Sequence, residues 1–152
     1  MPSRSAGLQT ALALDYGLRR IGVATAAPVA GTASALTTLA ARAGEPDWAA
    51  LDTLVREWEP QALVLGLPRN SDGTESAMTV RVREFEQQLT ERYKLPIYLV
   101  DERYTSAEAE SLLKAQRRSG QRTRKLQKRD VDSLAAALIA ASWIRTLDRT
   151  DN

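Results

Sequence analysis

The sequence predicts a mixed α/β domain in which an antiparallel hairpin is joined to parallel strands. Three observations carry that prediction. Two apolar runs, residues 10–15 and 21–26, are separated only by "YGLRR". That gap is too short for a parallel crossover, so the two strands pair as a hairpin. A third run, "QALVLGLP" (61–68), is continuously apolar, as expected of a strand covered on both faces. Helical stretches then alternate with one more apolar run, "LPIYLV" (95–100).

The remaining elements follow in order. Residues 33–39 read as a third strand. In "AGEPDWAALDTLVREWEP", Trp48, Leu51, Val55 and Trp58 recur at helical spacing and Pro60 closes the run. The loop "RNSDGTES" contains the turn pair Asp72-Gly73. A long helix is expected over 77–93, with Met78, Val82, Phe85 and Leu89 on one face. Thr105 and Glu108 have capping-box spacing and start another helix. A basic stretch then reads as an exposed loop, and the last helix spans 131–147. Trp48, Trp58 and Trp143 all sit among apolar residues at helical spacing and are expected in the core. No repeat or linker divides the chain, so residues 1–152 are expected to form a single domain.

Composition narrows the chemistry. The hydrophobic fraction of 43% supports a real core. No apolar run approaches the roughly 18 residues of a membrane span. The N-terminus "MPSRSAGLQT" lacks the apolar centre and cleavage site of a secretory signal. A cytoplasmic protein with no membrane partner is expected. With Cys 0 and His 0, thiol nucleophiles, Ser-His triads and ordinary structural zinc sites are excluded. Acid–base or metal chemistry must then come from carboxylates, Lys, Tyr or bound water. Magnesium or manganese suits that donor set.

Three acidic sites stand where a carboxylate is costly. Asp15 ends the first apolar strand, and Asp101 and Glu102 end the last. Asp132 lies in the first turn of the final helix, on the face that carries Ala135, Ala136, Ile139 and Trp143. An unpaired charge on that face would be expensive. A divalent ion shared by Asp15, one of Asp101 and Glu102, and Asp132 would relieve all three sites and could activate water for phosphodiester hydrolysis. Asp101 and Glu102 point to opposite sides of a strand, and spacing does not say which faces the others. The plainer alternatives are a turn cap for Asp15 and, with Asp130 as N-cap, a helix-dipole role for Asp132.

Net charge is only +2, but its distribution is uneven. The segment "KAQRRSGQRTRKLQKR" (114–129) holds Lys114, Arg117, Arg118, Arg122, Arg124, Lys125, Lys128 and Arg129 and no acid. Such a run gains most from phosphates, through contacts to the backbone rather than to bases. Arg19 and Arg20, just beyond Asp15, are candidate phosphate contacts beside the acids.

Four blocks, "LALDYGLRRIGVA", "LVLGLPRNSDGTES", "VDERYTSAEAE" and "VDSLAAALIAASWI", resemble in order and spacing the bacterial YqgF/RuvX family. That family is described as Holliday-junction resolvases and as nucleases that process precursor 16S ribosomal RNA. The resemblance implies an RNase H-like fold, a mixed five-stranded sheet flanked by helices. It implies a metal-dependent endonuclease that leaves a 5′-phosphate and a 3′-hydroxyl. The family's acidic residues fall on Asp15, on Asp101 and Glu102, with Glu102 taken as the ligand, and on Asp132. Asp101 is then expected to pair with a neighbouring basic group. Gly66, Leu67, Pro68, Asp72, Gly73, Thr74 and Glu75 match the family's loop. This loop reads either as a turn at the mouth of the site or as a substrate contact through Asn70 or Thr74. The basic segment is longer than the family's usual run, and Tyr104 replaces a smaller aliphatic residue. The expected partner is structured RNA or branched DNA, with a homodimer favoured for a two-fold junction. The competing reading is a non-catalytic RNA-binding factor in ribosome maturation or transcription, its acids vestigial.

Overall fold

The structure, a computed structural model, describes residues 8–102 and 128–150. Its strands are β1 (Ala11–Asp15), β2 (Arg20–Ala27), β3 (Thr32–Arg42), β4 (Glu45–Pro46), β5 (Ala62–Leu67) and β6 (Ile97–Asp101). Its described helices are α1 (Trp48–Trp58), α2 (Ala77–Tyr93) and α3 (Lys128–Thr150). The strands form one sheet in the order β4-β3-β2-β1-β5-β6. The first four are joined by antiparallel pairings, and β5 and β6 add in parallel beyond β1.

The expected sheet of five strands thus has a sixth. Ala43 and Gly44 both take positive φ, 51° and 86°, between the paired residues Arg42 and Glu45. Two consecutive left-handed residues make the tight hairpin turn whose twist suits flanking strands. Residues read from sequence as the approach to a helix therefore first add the short strand β4.

Period-two alternation sorts the strands' side chains into two unlike faces. Leu12, Leu14, Ile21, Val23, Leu63, Leu65 and Leu67 pack with Leu51 of α1 and Val82, Phe85 and Leu89 of α2. On the opposite face Ala11, Ala13, Ala24, Ala26, Ala62 and Val64 meet α3 through Ala136, Ala137, Ile139, Ala140 and Trp143. One face is filled by large side chains. The other is lined with small ones, so α3 lies close against the strands.

The helix ends have local causes. Asp47 caps α1 by accepting a hydrogen bond from the Ala50 amide at 3.1 Å, and Glu59 stops the helix in the left-handed region at φ 44°. Ser76 and Thr79 form a reciprocal capping box on α2. The Thr79 hydroxyl also donates to the Pro68 carbonyl, which ties α2 to the end of β5. The last helix starts at Lys128, earlier than expected, so Asp130 lies within it rather than capping it. Trp143 is buried and Trp48 is packed against the core, but Trp58 is 40% exposed at the end of α1 and is not a core residue. Among the described residues no helix is long and apolar enough to cross a membrane. The expected helix at Thr105 and Glu108, Tyr104, and the basic residues Lys114, Arg117, Arg118, Arg122, Arg124 and Lys125 lie outside the described residues.

Candidate active site

The sheet's alternation brings the acids together at one end of its small-residue face. Asp15 continues the row of Ala11 and Ala13, and it pairs across the hairpin with Gly22. Val100 of β6 packs on the same face, and Glu102, two residues on, returns to that side. Glu102 stands close enough to Asp15 to act directly on its ionisation. Asp101, on the other side of the strand, stands 4.0 Å from Arg69, Oδ2 to Nε. The structure therefore separates the two neighbours that spacing could not.

Two glycines make this convergence possible. A Cβ on Gly66 would lie 2.4 Å from Glu102 Oε1 and 2.5 Å from Ile139 Cδ1. The missing side chain is the space into which the Glu102 carboxylate folds. A Cβ on Gly22 would lie 1.9 Å from the Asp132 carbonyl oxygen. The first turns of α3 rest directly on the β2 backbone there, beside Asp15. Sequence reasoning missed Gly22 and had no role for Gly66. The available signal was a glycine inside a strand, which often marks a close backbone approach.

The electrostatics follow from that crowding. Asp15 is pushed up from its ordinary 3.8 to about 8. Burial is the main cause, followed by the charge of Glu102, the hydrogen bond with Glu102 and the charge of Asp132. At neutral pH Asp15 therefore favours its protonated form. Asp132 is close enough to oppose the ionisation of Asp15, yet its own Oδ2 accepts a hydrogen bond from Arg20 Nε at 2.6 Å. Among the described residues no three acidic side chains stand together as a metal-holding group, as the Arg20–Asp132 pairing would lead one to expect.

The donor set nonetheless fits a hard divalent ion. It offers carboxylate oxygens alone, it is partly buried, and a cation would offset the crowding that raises Asp15. Asp132 would join it by turning from Arg20.

Of the two turn arginines, Arg20 faces Asp132 and Arg19 is exposed. The loop after β5 is organised internally. Asn70 Nδ2 donates to Thr74 Oγ1 at 2.9 Å, and Thr74 donates through its amide and hydroxyl to Asp72 Oδ1 at 3.0 and 2.6 Å. Gly73, at φ 91°, donates its amide to the Asn70 carbonyl at 2.9 Å. These bonds support the turn reading over a substrate role for Asn70 or Thr74.

Comparison with known proteins follows the same lines. The sequence model of one family, RuvX, described as Holliday junction resolvase, matches residues 9–146. A protein of Pseudomonas putida named "Putative pre-16S rRNA nuclease" is 43% identical over 139 residues, covering 91% of this chain and 96% of its own. A relative of the same name from Azotobacter vinelandii is 44% identical over 139 residues, covering 91% and 94%. Among solved structures, T. thermophilus RuvC in complex with a Holliday junction substrate superposes with a TM-score of 0.60 at 18% identity, over 91% of this chain and 96% of that one. The yeast mitochondrial Holliday junction resolvase Ydc2 gives 0.54 at 17% identity, over 92% and 79%. The architecture they share is the RNase H-like fold, as the sequence resemblance implied.

Proposed function

The chain belongs to the RuvX family and is a nuclease, and on that premise we propose that it hydrolyses phosphodiester bonds in structured nucleic acid with a divalent cation held by Asp15, Glu102 and Asp132. The observation that carries this reading is the crowding of half-buried Asp15 by Glu102 and Asp132, which helps raise it to about 8. A structural carboxylate is normally neutralised by a cation or by backbone donors. Asp15 instead stands against further negative charge, an arrangement that a metal ion stabilises and that catalytic sites favour. When bound, magnesium or manganese would activate a water and stabilise the departing oxygen.

The chain's own groups do the rest. Asp15 ends β1 and Glu102 follows β6, on either side of β5 in one sheet, so their backbones are held before substrate arrives. Gly66 leaves room for the Glu102 carboxylate, and Gly22 lets the start of α3 rest close beside Asp15. Arg19, exposed at the rim, would contact a substrate phosphate. The basic residues Lys114, Arg117, Arg118, Arg122, Arg124 and Lys125 would extend that contact along the backbone.

Precursor 16S ribosomal RNA is the favoured substrate, because the relatives more than 40% identical over nine-tenths of the chain carry that name. A Holliday junction is the second reading, supported by the family description. A homodimer would suit a two-fold junction, whereas trimming of RNA makes no such demand. The test is magnesium-dependent cleavage by the wild type and by Asp15→Asn, side by side on precursor RNA and on a four-way junction. Cleavage of one substrate that is lost in the variant supports the reading and selects the polymer. Undiminished cleavage by the variant refutes the site. RNA binding with no cleavage by wild type on either substrate favours the non-catalytic factor.

A further inference from the structure

The Arg20–Asp132 contact, 112 residues apart in sequence, has no role in holding the fold that its neighbours do not already supply. Arg20 stands at the first position of β2, where its backbone pairs with Ala40 of β3, two residues before the β1 pairing begins at Gly22. Asp132 is fixed by the backbone of α3 seated over Gly22. The 2.6 Å hydrogen bond therefore joins two side chains whose backbones are held independently. The guanidinium side chain is 42% exposed and the Asp132 carboxylate 27%, so the pair lies at the surface of the acid cluster, where solvent and ligands reach it.

We propose that Arg20 is a positioning residue that occupies Asp132 in the metal-free site and is exchanged to a substrate phosphate when a divalent cation takes the carboxylates. This inference rests on the metal-site reading above. With Oδ2 held by Arg20, Asp132 does not stand with the other acids as a three-acid site, so completing one requires it to turn away from Arg20. Metal binding therefore releases a guanidinium at the rim, within one side chain's length of the acids. A phosphodiester is the fitting acceptor, because it restores the charge-assisted hydrogen bond that Arg20 loses. Cation and nucleic acid then promote each other's binding, and linkage makes the effect reciprocal. Arg19, in contrast, contacts phosphate with or without metal.

The experiment separates these roles by binding, not activity. Magnesium binding to the protein alone is followed by calorimetry. Binding of a precursor 16S RNA fragment is followed by anisotropy in chelator and in calcium, with the RNA checked intact on a gel. For wild type, calcium should strengthen RNA binding by a factor within the roughly 5- to 150-fold range of ordinary coupling. Arg20→Ala should bind magnesium more tightly than wild type, because the competing cation is gone. It should bind RNA as wild type does in chelator but lose most of the calcium enhancement, and Arg20→Lys should recover part of it. Equal RNA losses with and without calcium would make Arg20 a simple phosphate contact and overturn the exchange. So would unchanged magnesium affinity with an intact enhancement. If the wild type binds no divalent cation, the metal-site reading falls as well. If it binds one and only the dependence on Arg20 is missing, this inference alone fails.

Discussion

Asp52 of α1 accepts hydrogen bonds from Arg92 Nε at 2.8 Å, from Arg92 Nη2 at 2.7 Å and from the Tyr93 hydroxyl at 2.7 Å. Those bonds, the arginine's first, hold its carboxyl well below the usual carboxylate range. Asp15, at the end of β1, has no such donors described around it; burial and two neighbouring acids raise it to about 8. Both are half-buried aspartates of one small protein. One belongs to a completed ion pair that ties α1 to α2. The other belongs to a cluster of carboxylates that crowd one another. The contrast teaches where to look for chemistry. A satisfied carboxylate stabilises, whereas a crowded one is kept at a cost in stability for what it binds.

Exchanging the charge at each aspartate should break the comparison most sharply. Asp15→Asn is expected to lower magnesium-dependent cleavage by about 10²–10³-fold or more, the scale of losing a key electrostatic group at a reacting centre. Asp52→Asn should leave cleavage within about twofold, because it touches only the α1–α2 contact. In chelator the melting temperatures should move oppositely, up for Asp15→Asn and down for Asp52→Asn. Differential scanning fluorimetry and a gel cleavage assay read both.

The two glycines come next. Gly66→Ala places a methyl 2.4 Å from Glu102 Oε1 and should displace that carboxylate, reducing cleavage more than stability. Gly22→Ala sets a methyl 1.9 Å from the α3 backbone, which cannot yield as a side chain can. It should cost at least about 1–3 kcal/mol, as overpacked sites do. Denaturant unfolding of both variants, beside cleavage rates, checks that division.

The pH dependence sharpens the contrast further. The folded pKa of Asp15, about 8, lies above its ordinary 3.8, so the folded protein binds this proton more tightly than the unfolded chain. Its favourable contribution is complete below 3.8 and is lost as pH rises through 8. For Asp52 the folded value is depressed, so its contribution is present above the ordinary value and lost as pH falls below it. In chelator, wild type should therefore lose melting temperature as pH rises from about 4 toward 8 and level off above it, measured as a series of melts. Asp15→Asn should flatten that slope, and magnesium should reduce it.

The smallest expected effect is at Arg19. Arg19→Ala should weaken nucleic-acid binding modestly and reduce the slope of log affinity against log salt by about one. An unchanged slope in a salt titration would remove Arg19 from the phosphate contacts.

Much of this was legible in the sequence, for identifiable reasons. The hairpin followed from a gap too short for anything else, and α2 was expected over the same residues it occupies, 77–93. The pattern "ALALD" already separates alanines from leucines, which is the division between the two faces of the sheet. Asp15, the Asp101–Glu102 pair and Asp132 stood out because each interrupts an apolar pattern, and the resemblance alone favoured Glu102 over Asp101. What stayed hidden depends on pairings distant in sequence. Nothing local says that Arg20 meets Asp132 or that Gly22 lies beneath the start of α3. The strand β4 was missed because Ala-Gly is a less familiar pair for the tight hairpin turn than Asn-Gly. Trp58 was misplaced because helical spacing assigns a face but not how far the neighbouring layer extends; at the last position of α1 that layer no longer covers it.

The central claim is that the crowded carboxylates at the end of the sheet form a divalent-cation site. Magnesium titrated calorimetrically into wild type and Asp15→Asn at pH 8, without nucleic acid, tests it most directly. The account predicts saturable binding to wild type, with proton release, and its loss in the variant. Equal binding to both proteins, or none to a wild type that still cleaves in magnesium, would contradict it.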